Sequence, residues 1–296
     1  MTSIIRTEFY KMKRYSVIWI GVATMFTVVL LARFMATASD GATHTLVNFS
    51  SSVIWNNLVL IYPATIALIA GYIIDRERTD DTLKNILTIP VSFRKMLIGK
   101  LIAVGCMAAA LSVIEFLFTL IVFFASGFPG FSIGGMVQVL FQMIGINMIS
   151  YIAVMPVIAF TAQRSGSFMA GVGFAFFYGF VGMMASGHGL RDLYPITAGL
   201  TVIGYQDGSS DPTGNILLSV ASILFILAVT FIIVFTAKNR EVTAAKKKKK
   251  NSGKTVQKRN HSAREPVMKK AMIVLGIIFA SILLFVKMSS KEKEIA

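Results

Sequence analysis

The residue types that carry out most enzyme chemistry are few in this sequence and far apart. The histidines His44, His188 and His261 are scattered along the chain, so their spacing does not form the cluster of a metal site. Gly253-Lys254-Thr255 lacks the glycine-rich lead of a phosphate-binding loop, and Gly99-Lys100 lacks its upstream glycine spacing. We therefore expect no catalysis, no ATP hydrolysis and no cofactor or metal in this chain.

One ionisable residue lies where a charge is costly. Glu115 is near the middle of a long apolar block, between Ile114 and Phe116. An ionisable side chain at membrane depth is usually functional or paired. Two interpretations stay open: a protonated carboxyl that links helices by bonding to Gln142 or Asn147, or a group that faces a substrate path.

The richest mixture of charged and apolar residues is the stretch from Asp75 to Lys100. After a charged start, Leu83, Ile86 and Leu87 recur at helical spacing, and a proline, which cannot continue a helix, follows at position 90. The pattern predicts a short amphipathic helix. It fits an ordinary interfacial helix, or a helix that docks into a groove of a soluble partner.

Long apolar blocks must position these residues, and they predict an all-α, polytopic integral membrane protein. The chain is 55% hydrophobic and 15% charged, against about 25% charged in soluble domains. A lipid-exposed backbone must satisfy its hydrogen bonds internally, which favours helices of about 20 residues. The blocks are Ser16–Met35, Val53–Ile74, Leu97–Ala125, Met136–Phe160, Phe168–Ala185, Ile216–Thr236 and the shorter Ala271–Phe285.

Basic residues set the predicted orientation. If the N-terminus is cytoplasmic, most of the 29 Lys and Arg residues lie inside, as the positive-inside rule requires. This rule explains the net charge of +15 better than nucleic-acid binding does, and it places the protein in the cell membrane as a multi-pass chain. Within the cytoplasmic stretch, we expect Arg94, Lys95 and Lys100 to return the chain to the lipid headgroups.

The blocks divide the chain into three regions. Residues 1–237 form a six-helix transmembrane domain, 238–270 a basic cytoplasmic linker that attracts anionic lipid, and 271–296 a C-terminal helix and tail. The last block is either a seventh span or an interfacial helix. We predict polar outer loops at 37–52 and 186–215, the second of them flexible and solvated.

The stretch from Asp75 to Lys100 resembles the first cytoplasmic loop of ABC-2 type transporter permeases. The run from Glu8 to Arg14 is similar to the amphipathic segment that precedes the first span in that family. Asp81 stands where the family commonly has glycine, and Phe93 separates Ser92 from Arg94. The matching residues in the loop are Glu77, Thr82, Leu83, Lys84, Leu87, Pro90, Ser92, Arg94, Gly99 and Lys100.

The resemblance covers about residues 1–240 and implies a function. The chain would be the permease of an ATP-binding cassette exporter, paired with an identical or related permease and driven by a separate subunit that binds ATP and Mg²⁺. The most similar subgroup exports bacitracin- and lantibiotic-type peptides. The residues implied to dock the ATP-binding subunit, as a coupling helix, are Glu77, Thr82, Leu83, Ile86, Leu87, Pro90 and Arg94.

Two other classes of function would require different features in the sequence. A polytopic membrane enzyme would need clustered His, Asp or Glu at membrane depth, and Glu115 alone does not provide that. A membrane interaction protein without transport would lack an ATP-binding partner. The substrate, the direction of transport and the choice between homodimer and heterodimer stay open at this point.

Overall fold

The computed structural model of the chain describes residues 2–12, 15–37, 45–79, 93–164, 166–187, 189–205 and 214–237. Helices dominate these residues, and none of them lies in a β-strand. The helices are, in chain order, α1 (Thr2–Met12), α2 (Val17–Thr37), α3 (Leu46–Asn56), α4 (Tyr62–Thr79), α5 (Phe93–Ala125), α6 (Ile133–Thr161), α7 (Phe168–Gly187), α8 (Pro195–Val202) and α9 (Ile216–Thr236).

Five of these helices, α2, α5, α6, α7 and α9, are long and apolar enough to cross a membrane. The pair α3 and α4 passes the same criterion together, bent by 52° at the break between them, as either a broken span or a re-entrant loop. The prediction of an all-α polytopic membrane protein is confirmed. The linker 238–270 and the seventh block Ala271–Phe285 lie outside the described residues.

The second span begins earlier than the sequence predicted, and it is not one continuous helix. Helix α3 starts at Leu46, where the Thr45 side chain accepts a hydrogen bond from the Asn48 amide. The predicted outer loop 37–52 is therefore too long. Within this helix the Ser50 and Ser52 hydroxyls donate to the backbone carbonyls of Val47 and Asn48, one turn earlier, so these polar side chains are compatible with the helix.

A π-helical turn, Asn57–Ile61, separates α3 from α4. Pro63 follows it and has no amide hydrogen to donate to the carbonyl of Val59. Helix α7 packs against the break through Gly179, where an added Cβ would lie 2.5 Å from the Val59 carbonyl oxygen. The missing side chain of Gly179 therefore lets α7 approach the backbone of the broken span.

In its described residues, the segment before the last span is not the solvated loop that the sequence predicted for 186–215. It contains α8, whose residues Ile196 and Leu200 are fully buried. The Asp192 carboxylate accepts hydrogen bonds from the Thr201 and Ser219 hydroxyls and from the Asn215 amide. Asp192 therefore fixes α8 to the start of α9. Two other loop aspartates, at 207 and 211, lie outside the described residues.

Candidate functional site

The structure describes the two stems of the predicted docking segment rather than the segment itself. Residues 80–92 lie outside the described residues, and with them five of the seven proposed docking residues, Thr82, Leu83, Ile86, Leu87 and Pro90. The stems are α4, which contains Glu77, and α5, which begins at Phe93.

Arg94 is the docking residue whose contacts are described. Its Nε donates to the Ala237 carbonyl at 3.4 Å. Because Ala237 caps the C-terminus of α9, this bond joins the last span to the first turn of α5.

Lys100 corrects one prediction. We expected it to reach the lipid headgroups, but its side chain is fully buried. Its ammonium lies 3.0 Å from Oε2 of Glu8, which is 3% exposed, and 3.4 Å from the carbonyl oxygen of Ile73. An ammonium inside a protein requires such partners because burial removes its water. The headgroup prediction failed because the sequence does not show that α1 covers this side of α5.

Helix α1 is amphipathic in a way that places Glu8 against the protein. Glu8 and Met12, one turn apart, are buried, whereas Phe9 and Tyr10 are exposed. Lys11 lies at the edge of the interface, with its ammonium 3.3 Å from Oε1 of Glu8 and 35% of its side chain exposed. The glutamate therefore has one basic partner inside the protein and one at its surface.

A second contact ties the segment just before α2 to the C-terminal end of α4. The Arg76 guanidinium lies 4.9 Å from the ring centroid of Tyr15 and 5.7 Å from that of Tyr72. It also donates to the Tyr72 hydroxyl at 2.9 Å. On the same helix, the Asp75 carboxylate accepts a bond from the Gly166 amide at 3.1 Å, which joins α4 to the α6–α7 connection.

Inside the membrane domain, Glu115 of α5 joins three spans. Its Oε2 accepts from Asn147 Nδ2 of α6 at 2.6 Å, and its Oε1 accepts from Asn57 Nδ2 of the π-helical turn at 2.7 Å. Asn147 is one of the two partners expected from the sequence. The other, Gln142, donates instead to the carbonyls of Ile203 and Gly204.

Asn57 was missed by the sequence analysis. It is 1% exposed, and its Oδ1 accepts no hydrogen bond from the described residues. The signal that could have identified it is a pair of asparagines, Asn56-Asn57, inside an apolar block, since polar side chains at membrane depth usually meet other polar side chains.

Comparison of the sequence with known protein families identifies a match. A family model described as "ABC-2 family transporter protein" matches residues 4–182. The match includes α1, both stems, the docking segment and the Glu115 cluster. The chain belongs to the ABC-2 transporter family. No curated protein is similar enough to the chain to count as a match.

Membership of the ABC-2 family gives the described contacts a context. An ABC-2 permease is the membrane component of an ABC transporter and is not itself catalytic; the family implies an ABC ATP-binding partner. Among the described residues, no group of three or more His, Cys, Asp or Glu side chains could hold a metal ion. The contacts of Lys100, Arg76 and Asp75 each join segments that are distant in the sequence.

Proposed function

We propose that this ABC-2 permease exports an amphipathic compound, and that a separate ATP-binding subunit drives it by docking on cytoplasmic residues 75–95. The observation on which the proposal depends is the family match over residues 4–182, which contains that segment. The apolar edge of Leu83, Ile86 and Leu87 would enter a groove of the partner. Glu77, Thr82, Pro90 and Arg94 would flank that edge.

The length of α5 supports a mechanical role for this segment. The helix has 33 residues, so at 1.5 Å per residue it is about 50 Å long. This exceeds the roughly 30 Å of a bilayer core. One continuous helix therefore leads from the docking segment through the membrane, and a displacement of its cytoplasmic end would move the span.

We further propose that two permease chains, identical or related, form the path together, with both N-termini in the cytoplasm. The orientation is supported by the distribution of basic residues. Rigid movement of helices against one another would then open the path alternately to the two sides. The resemblance to bacitracin- and lantibiotic-type permeases supports a peptide as the compound that is exported.

Two measurements test this function. Cells that express the chain together with an ABC ATP-binding subunit that co-purifies with it should tolerate a higher concentration of bacitracin than cells that express either subunit alone. The purified chain alone should not hydrolyse ATP. Hydrolysis by the isolated chain that is lost on changing one of its own residues would contradict the assignment, and unchanged tolerance would contradict peptide export.

A further inference from the structure

Lys100 brings together three segments that are distant in the sequence. Its ammonium bonds to Glu8 in α1 and to the Ile73 carbonyl in α4, while Lys100 itself lies two turns inside α5. Helices α4 and α5 are the two stems of the docking segment. One ammonium therefore connects both stems to the N-terminal helix.

A separate contact, close by, joins a residue between α1 and α2 to α4. Arg76, three residues after Ile73 in α4, lies within cation–π distance of the rings of both Tyr15 and Tyr72. The two rings meet edge to face, with their centroids 6.1 Å apart. Because Tyr15 lies between α1 and α2, this contact holds the start of the first span to the same stem.

The buried ion pair makes these segments dependent on one another. If α1 moved away from α5, Lys100 would keep its charge and lose the Glu8 carboxylate, which is unfavourable for a buried ammonium. An apolar contact at the same place would permit sliding, since apolar attraction has no direction. The charged contact therefore favours movement of α1 with the stems as one body.

We propose that Lys100, through Glu8, is a positioning residue that makes α1 move with both stems when the ATP-binding subunit changes state. Helix α1 would then pass the movement to the first span, in addition to the direct route through α5. This inference rests on the proposed function, because it requires a subunit that docks on residues 75–95.

The test compares nucleotide states of the complex of this chain with its ATP-binding subunit in lipid nanodiscs. Hydrogen–deuterium exchange is measured without nucleotide and after trapping with ATP, Mg²⁺ and vanadate. In the parent complex, we expect a change in exchange both in the stems and in residues 2–12. In Lys100→Met and Glu8→Gln complexes, the change in the stems should persist and that in residues 2–12 should disappear. ATP hydrolysis should continue while bacitracin export falls.

The control variants separate positioning from folding. Lys11→Met removes the partially exposed partner of Glu8 and should leave the response of residues 2–12 intact. The charge-reversed variant Glu8→Lys with Lys100→Glu should restore part of the response, which a defect in folding alone would not allow. If single variants fail to assemble, the parent complex and the charge-reversed variant still decide the result.

Two results would overturn the inference. One is that residues 2–12 do not respond to trapping in the parent complex, and the other is that they respond equally in Lys100→Met. The proposed function would survive both, because docking and export are measured separately. If no ATP-binding subunit associates with the parent chain, the proposed function itself fails, and this inference fails with it.

Discussion

The ammonium of Lys100 lies 3.0 Å from the carboxylate of Glu8, across 92 residues of sequence, and both side chains are buried. Lys100→Met should therefore destabilise the protein, because Glu8 would lose its buried basic partner, but by less than the roughly 3–5 kcal/mol of a fully uncompensated buried charge, since Lys11 stays 3.3 Å from Glu8. Thermal unfolding in detergent measures this loss. The double variant Glu8→Gln with Lys100→Met should recover much of it, and simple addition of the two single losses would contradict the pairing.

Two variants of Glu115 distinguish its two interpretations, a structural link between helices and a contact with the substrate. Glu115→Leu removes the acceptor of Asn147 Nδ2 and the shorter of two bonds made by Asn57 Nδ2, which keeps Asn147 Oδ1 at 3.3 Å. We expect a loss of about 1–3 kcal/mol for the unsatisfied Asn147 amide. Glu115→Gln keeps an acceptor oxygen and should be less destabilising. If Glu115 is only a link, the Gln variant should still confer bacitracin tolerance. A stable Gln variant without tolerance would favour the alternative, in which the carboxylate faces the path.

The close approach of α7 to the broken second span provides a test with a matched control. Gly179→Ala places a methyl group 2.5 Å from the Val59 carbonyl oxygen, which requires a backbone shift and should cost about 1–3 kcal/mol. Gly173→Ala, in the same helix, meets nothing within 4 Å and should be neutral or stabilising. Equal melting temperatures for the two variants would argue against this packing.

The C-terminal block Ala271–Phe285 keeps both of its interpretations, because it lies outside the described residues. If it spans the membrane, a cysteine at Ser290 in a Cys106→Ser background should react with an impermeant thiol reagent on intact cells, and one at Ser252 should not. Reaction of both only after permeabilisation would mean an interfacial helix. The assignment to the ABC-2 family would be unaffected, since its match ends at residue 182.

The sequence predicts the spans well because lipid requires long apolar helices and tolerates few exceptions. The search for apolar blocks misplaced the start of the second span, because Ser50 and Ser52 are polar and yet helical. Their hydroxyls donate hydrogen bonds to backbone carbonyls of the same helix. It also missed α8, which has only eight residues between turn-forming segments. Composition thus predicts that a helix crosses the membrane, but not where polar residues extend or interrupt it.

Side-chain partners depend on tertiary structure, and there the sequence was less informative. Asn147 was a candidate partner of Glu115 because few polar residues occur at membrane depth, which leaves few possible hydrogen-bond partners. The pairing of Lys100 with Glu8 could not be deduced, because a lysine near a membrane boundary ordinarily reaches the headgroups. Only the position of α1 against α5 shows that this lysine is covered.

The central claim is that residues 75–95 dock an ATP-binding subunit, and pull-down of that subunit tests it most directly. Leu83→Asp or Leu87→Asp places a charge on the apolar edge of the proposed docking helix, where an unpaired buried charge costs several kcal/mol. Asn85→Asp adds the same charge to the opposite face and serves as the control. We predict that the parent chain and Asn85→Asp retain the ATP-binding subunit, whereas both leucine variants lose it. Retention by all four chains would contradict the docking assignment, and retention by none would contradict the partnership itself.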